Sequence, residues 1–295
     1  MRVIWMTMGM LAAVQGASYA HAQPPVLEKP EALSAGQLVR EVIYNEQHDH
    51  QTHGAWRYWV ERRSPAGTGV EEQVETADGP ISRLTQTDGR GLSAEEASEE
   101  QARLEGLLNS PSEWARHLRR YDEDEERIGR ILALLPDAFV YEYDGEENGC
   151  YRLRFRPNPE YAAASIETRI FHAMSGRLWV DARAKRLARL DARVGENVDF
   201  GFGVLGRLYK GGWFRLVRVQ VSATDWKTAT LEVHMNVRAL LVKTFARDTS
   251  EARGGFSAVP RGLSLAQGLE LLNGSDEMAE SRSRKVAERP ALAAR

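Results

Sequence analysis

The chain has 295 residues, 39 Lys and Arg against 42 Asp and Glu, and one cysteine, Cys150. A net charge of −3 with no basic domain removes the usual electrostatic footprint of a nucleic-acid binder. One cysteine cannot form an internal disulfide, so the fold rests on core burial, for which the length is ample.

Met1-Arg2 is a short positive start, and an apolar run from Val3 to Val14 follows. Ala20-His21-Ala22 then gives an A-x-A pattern before Gln23-Pro24-Pro25. This is the layout of a secretory signal peptide over residues 1–22. The apolar run is shorter than the roughly 20 residues of a membrane anchor. No cysteine follows the cleavage pattern, so lipidation there is excluded and a soluble periplasmic protein is expected. Residues 23–33 are Pro-rich and read as a linker.

Ser34 looks like an N-cap, and Leu38, Val42 and Ile43 mark a short helix ending near Asn45. From Trp56 the period changes to two: Trp56, Tyr58 and Val60 alternate with Arg57, Trp59 and Glu61. Turns at 64–69 and 78–80 extend this to a three-strand meander ending at Asp88-Gly89. Ser93-Ala94-Glu95-Glu96 is a capping box opening a charged helix to about Leu108. A second helix restarts at Ser110-Pro111-Ser112, carries the charge run 121–127 as a solvated face, and is expected to stop at Pro136. Strand alternation resumes with Phe139, Tyr141 and Tyr143, then with Tyr151, Leu153 and Phe155 against three arginines. A short helix fits 165–173, and from Gly176 to Phe245 the pattern is nearly continuous antiparallel sheet. Leu231, Val233 and Met235 against Glu232, His234 and Asn236 are its clearest alternation. Residues 246–295 thin out in apolar content and read as a disordered tail that folding does not need.

The expected architecture is mainly β (α+β). It is a curved, partly open antiparallel β-barrel of about eleven strands over 34–245, with helices inserted at about 93–135 covering the concave face.

The C-terminal half carries a resemblance. Gly176-Arg177-Leu178-Trp179-Val180-Asp181, then Arg186–Leu190, Val198–Gly206, Lys210-Gly211-Gly212 and Trp226 resemble the outer-membrane lipoprotein-sorting (LolA/LolB-like) superfamily of periplasmic carriers. The resemblance spans residues 34–245 and implies an unclosed barrel with a helical lid over an apolar cavity. No motif here transfers a particular contact residue, and the acidic insertion at 93–127 is larger than the family's pattern.

His48, His50 and His53 lie at i, i+2, i+5, which is not helical metal-ligand spacing, so a solvated connector is expected and no metal or other cofactor. Cys150 sits in a turn without a catalytic flank. Gly201–Gly206 mimics a dinucleotide loop but leads to a Gly-Gly turn and another strand, not a helix. The acidic pairs lie in hydrophilic helices, where general-acid work lacks the desolvation it needs. No enzyme is therefore expected.

What remains is an aromatic and aliphatic face: Trp56, Tyr58, Val60, Tyr151, Leu153, Phe155, Phe200, Phe202, Leu231, Val233 and Met235. Such a face is core if the helices fill it and a ligand cavity if they do not. With the resemblance, the face reads as the binding surface of a carrier for a lipid, an acylated protein or another apolar ligand, making transient membrane contact. The alternative is an envelope interaction protein with a filled core that binds another protein. The secreted form should begin at Gln23. Intact-mass measurement checks this, and a protein retained in the cytoplasm with Met1 intact would defeat export.

Overall fold

The computed structural model describes residues 33–48, 54–162, 164–200, 206–239 and 243–273. The signal-peptide segment 1–22, the linker up to residue 32 and residues 274–295 lie outside them.

The chain opens with α1 (Ala35–His48), whose Ser34 and Gln37 satisfy each other's backbone amides. The meander follows as β1 (Ala55–Ser64), β2 (Gly67–Thr76), β3 (Gly79–Thr87) and the two-residue β4 (Arg90–Gly91). Next come α2 (Ala94–Asn109) and α3 (Pro111–Ala138). The return to sheet is β5 (Phe139–Glu147) and β6 (Cys150–Pro157), then α4 (Ile166–His172). The C-terminal run is β7 (Met174–Asp181), β8 (Leu187–Val194), β9 (Val198–Phe200), β10 (Gly206–Leu208), β11 (Trp213–Gln220), β12 (Trp226–Ala239), β13 (Lys243–Val259) and α5 (Leu265–Asn273).

Among the described residues all strands join one curved, unclosed antiparallel sheet of order β4-β3-β2-β1-β13-β12-β11-β8-β7-β6-β5, with the β9–β10 hairpin on β12. The mainly-β architecture with helices packed on it thus agrees with the sequence pattern.

Alternation divides each strand between an inner face, under α1, α3 and α4, and an outer face. Trp56, Tyr58 and Val60 are buried on the inner face with Phe256 and Val221. Val74 pairs with Arg57 and Ile81, so it points the other way. Val74 and Ile81 form a second core with Leu104 of α2 and with Leu263, Leu269 and Leu272. The sheet is therefore buried on both sides at β2–β3, and α2 does not cover the concave face as expected. Instead, α2 lies along the edge of β3, where Glu100 accepts from the Leu84 amide at 2.8 Å and Arg103 donates to the Ser82 carbonyl at 2.6 Å.

Two further expectations are corrected. Residues 246–273 are ordered: β13 is a central strand paired with β1 and β12, and α5 docks on β2 and β3. Few apolar residues suffice because β13 gains both its hydrogen-bonded ladders from its neighbours. In α5 the few apolar residues are almost all inward. Gly268 lets that helix close on the sheet, since a Cβ there would meet Thr76 Cγ2 at 2.6 Å. The domain boundary thus moves from 245 to at least 273.

The second correction concerns α3, which runs through Pro136 to Ala138. Proline costs one amide bond, to the Leu132 carbonyl. The last turn is then held from outside: Tyr141 Oη donates to the Leu135 carbonyl at 2.8 Å, and Asn158 donates to the carbonyls of Asp137 and Ala138 at 2.9 Å each.

Leu272 and Leu104 are fully buried in one cluster. Leu272→Ala should therefore cost about 2–4 kcal/mol of unfolding free energy. Urea denaturation checks it, and a loss below about 0.5 kcal/mol, the surface-substitution range, would show that α5 is not part of the core.

Candidate functional site

The inner face carries two cross-strand rows. Leu153, Leu178, Leu190, Leu216 and Leu231 stand opposite one another across β6, β7, β8, β11 and β12. Phe155, Gly176, Ala192, Phe214 and Val233 form the adjacent row. At the β6–β7 end the rows are core: Leu153 is fully buried, and Phe155 packs edge-on to Phe139, which in turn meets Phe171 of α4. At the β8–β11–β12 end coverage is incomplete, and Leu190, Phe214, Leu216, Leu231 and Val233 are all only half-buried.

Beyond Leu231 the row turns ionic. Leu231 pairs with Glu251, which contacts Arg62 and Arg253, and Arg62 also reaches Glu71 at 2.6 Å. Burial works against the Arg62 charge, but Glu71 and Glu251 outweigh it and raise its pKa. Arg253 also lies over the Tyr58 ring at 6.0 Å. The result is an apolar band with one charged rim.

On the same face α3, a 28-residue helix in which only Ala138 is buried, runs from the β2–β3 turn to β5 and α1. Its N-terminal part is fixed at the β2–β3 turn: His117 meets the Pro80 carbonyl at 3.0 Å and Leu118 sits against Gly79. Gly79 has φ +104, so the turn itself favours glycine, and Leu118 packs over it. Its C-terminal part runs antiparallel to α1, with Arg40–Asp137 at 2.5 Å and Gln47 donating to the Gly129 carbonyl at 3.2 Å. Between these anchors the apolar stripe stays open: Tyr121 is 40% exposed and Ile128 is 50% exposed. Tyr121 overlooks the charged rim, and burial followed by Glu125 and Glu75 pushes its phenol up to about 12.

In contrast to α3, α1 is locked onto the sheet. Its Glu46 side chain, 10% exposed, sits between Arg186 (3.2 Å) and Arg218 and also accepts from the Leu187 amide. Arg186 is held below its ordinary pKa by burial, with Glu46 opposing that shift.

The residues expected to line a cavity separate into groups. Trp56, Tyr58, Val60, Tyr151, Leu153 and Phe155 lie in packed core. Met235 is partly buried against Val194, Val198 and Leu208. Leu231 and Val233 belong to the open band. Phe202 and the Phe200 side chain lie outside the described residues. Sequence reasoning missed Leu190, Phe214 and Leu216. Their signal was the alternation of Phe214 and Leu216 with Arg215 and Val217 in a strand already recognised.

The residues considered for chemistry are scattered. His48 Nδ1 bonds the Tyr44 carbonyl at 2.8 Å, and His50 and His53 lie outside the described residues. Among the described residues no three His, Cys, Asp or Glu converge to hold a metal. Burial, then Asp181 and Glu147, raises the Cys150 thiol and so suppresses its thiolate. No described helix is long and apolar enough to cross a membrane.

Glu46→Gln would remove the counter-charge shared by the buried Arg186 and the partly buried Arg218. It should cost about 3 kcal/mol or more, measured by denaturant unfolding, and an unchanged midpoint would remove the lock.

No protein-family model matches the chain, and no curated protein matches it. Two solved structures are similar in part. One is a DUF1329 family protein from Desulfovibrio piger, with 11% identity, covering 79% of this chain and 97% of its own, at a TM-score of 0.27. The other is MucB in complex with MucA(peri), with 10% identity, covering 75% of this chain and 94% of its own, at a TM-score of 0.20. Both likenesses are too slight to assign a family or a function.

Proposed function

We propose that this protein is an exported binding protein that receives an apolar chain, from a lipid or an acylated protein, between α3 and the inner face of the sheet. Residues 1–22 carry the export part of this reading, which places the protein in the periplasm. One observation supports the binding part. The apolar band on the inner face is half-buried, and α3, fastened near both ends, leaves Tyr121 and Ile128 exposed between its anchors. Burying an acyl chain yields about 0.8 kcal/mol per methylene, so part of one chain gives useful affinity by burial and shape, with no covalent step and no cofactor. The charged rim around Arg62 and Glu251 gives a polar head a place to end.

A second reading is an interaction protein of the envelope. It is favoured by β5, which ends the sheet with no further strand beside it among the described residues.

Titration of an environment-sensitive fatty-acyl probe into delipidated protein should saturate. Ile128→Asp changes a half-exposed side chain, so it should leave the melting transition nearly intact yet weaken the probe about tenfold, the loss of roughly two methylenes of burial. Leu216→Asp should weaken it as much at some cost in stability. Absence of saturable binding to the unaltered protein would overturn the carrier reading and leave the interaction reading.

A further inference from the structure

The outer face of the same sheet carries a different surface. Across β5, β6, β7, β8, β11 and β12 one outer row reads Glu142, Arg154, Arg177, Asp191, Arg215 and Glu232, each residue opposite the next. These charges are mutually paired: Arg154 with Glu142 at 2.7 Å, and Arg215 with Asp191 at 3.2 Å and with Glu232 at 3.5 Å. Arg177 leaves the row to meet Asp144 at 2.8 Å. The next outer row brings Ser175, Arg193 and Trp213 side by side.

Between the two rows lies an open groove of about 390 Å³. Its charged lining is Arg154, Arg156, Arg177, Arg193 and Arg215, with Asp191 as the one acid. Arg193, in the middle, is exposed and has no ion-pair partner among the described residues. The Ser175 hydroxyl lies directly across from it on β7. Trp213 forms the wall on the other side, fixed by stacking on His234 at 6.0 Å and by Arg215 over its ring at 5.8 Å.

Guanidinium forks match oxyanions in two-bond geometry, and the lining holds more of them than one carboxylate can engage. A phosphate presents more oxygens and up to two charges, and the groove has room for the group that carries it. We propose that this groove binds a phosphate group, with Arg193 as its central ligand and Ser175 as a neutral donor. The group comes either from a soluble phosphorylated molecule or from a phospholipid headgroup. The arginines of the site stand on the face opposite the apolar band, with the inner-row residues Phe155, Gly176, Ala192 and Phe214 also bordering the groove, and the proposal does not depend on the carrier reading.

The test uses the full chain in two arms. In the first, inorganic pyrophosphate is titrated and tryptophan fluorescence is followed, with succinate as the carboxylate control. In the second, flotation is measured with phosphatidylglycerol–phosphatidylcholine vesicles against phosphatidylcholine alone. Saturation in the first arm assigns a soluble ligand, and binding in the second arm alone assigns a headgroup. Because Arg193 makes no ion pair, Arg193→Gln should keep the melting temperature while weakening binding about tenfold, as for one lost charge-assisted hydrogen bond. Arg156→Gln should weaken it in the same arm, and neither variant should alter fatty-acyl probe binding. No binding in either arm, equal binding of succinate, or full affinity in Arg193→Gln would overturn the site.

Discussion

The pairing of β1 with β13 is the constraint on which the rest of the sheet depends. It runs from Ala55 opposite Val259 to Arg63 opposite Ser250 and is the join between the N-terminal meander and the C-terminal one. Without it, β1–β4 with α2 and α5 would form a separate small sheet. The partners lie about 200 residues apart, as in the Ser257 hydroxyl bonding the Arg57 carbonyl. Non-local pairing of this kind carries a loop-closure cost before any contact is gained, so the join belongs late in folding. An ion-pair bridge marks the seam: Arg62 of β1 links β2 and β13 through Glu71 and Glu251. A register shift between Arg57 and Trp59, with Gly255 at φ +67 on the partner strand, adds local twist where the halves meet.

Once the halves are joined, helix geometry explains the open band. The stretch of α3 between its anchors at His117 and Asp137 is about 30 Å long. From β3 to β5 the sheet order makes nine steps of about 4.8 Å, a longer path along the curved surface. A straight helix follows such a surface less closely than the strands do, and Phe214, Leu216 and Leu231, in the middle of the sheet order, are half-buried. By contrast α1 is half as long and held by Glu46, so it lies close to the sheet.

Legibility in the sequence followed side-chain alternation. The first meander, the Tyr151–Phe155 strand, the Leu231–Met235 strand and the Ser93–Glu96 capping box all stand where their patterns put them. The strand β13 was illegible because its inner positions, Thr249, Glu251 and Arg253, are polar, and its place is set by neighbours on both sides. The helix α5 lies in a stretch whose low apolar content reads as tail, yet Leu263 just before it and Leu269 and Leu272 within it all belong to one core. Alternation also assigns a residue to a face without saying how well that face is covered. That is why Trp56 and Phe214 were indistinguishable in the sequence, although one is core and the other borders the open band.

The contacts of α2 along β3 have a consequence for assembly. At that end of the sheet, Glu100 and Arg103 occupy the amide of Leu84 and the carbonyl of Ser82, so an incoming strand finds these groups taken. The β5 end has no such plug among the described residues. The two ends of the sheet order therefore differ in what they offer an added strand. A strand approaching β3 at Ser82–Leu84 must first displace two side chains of a single helix, whereas two copies meeting through β5 would form a two-fold pair that uses the same edge in both.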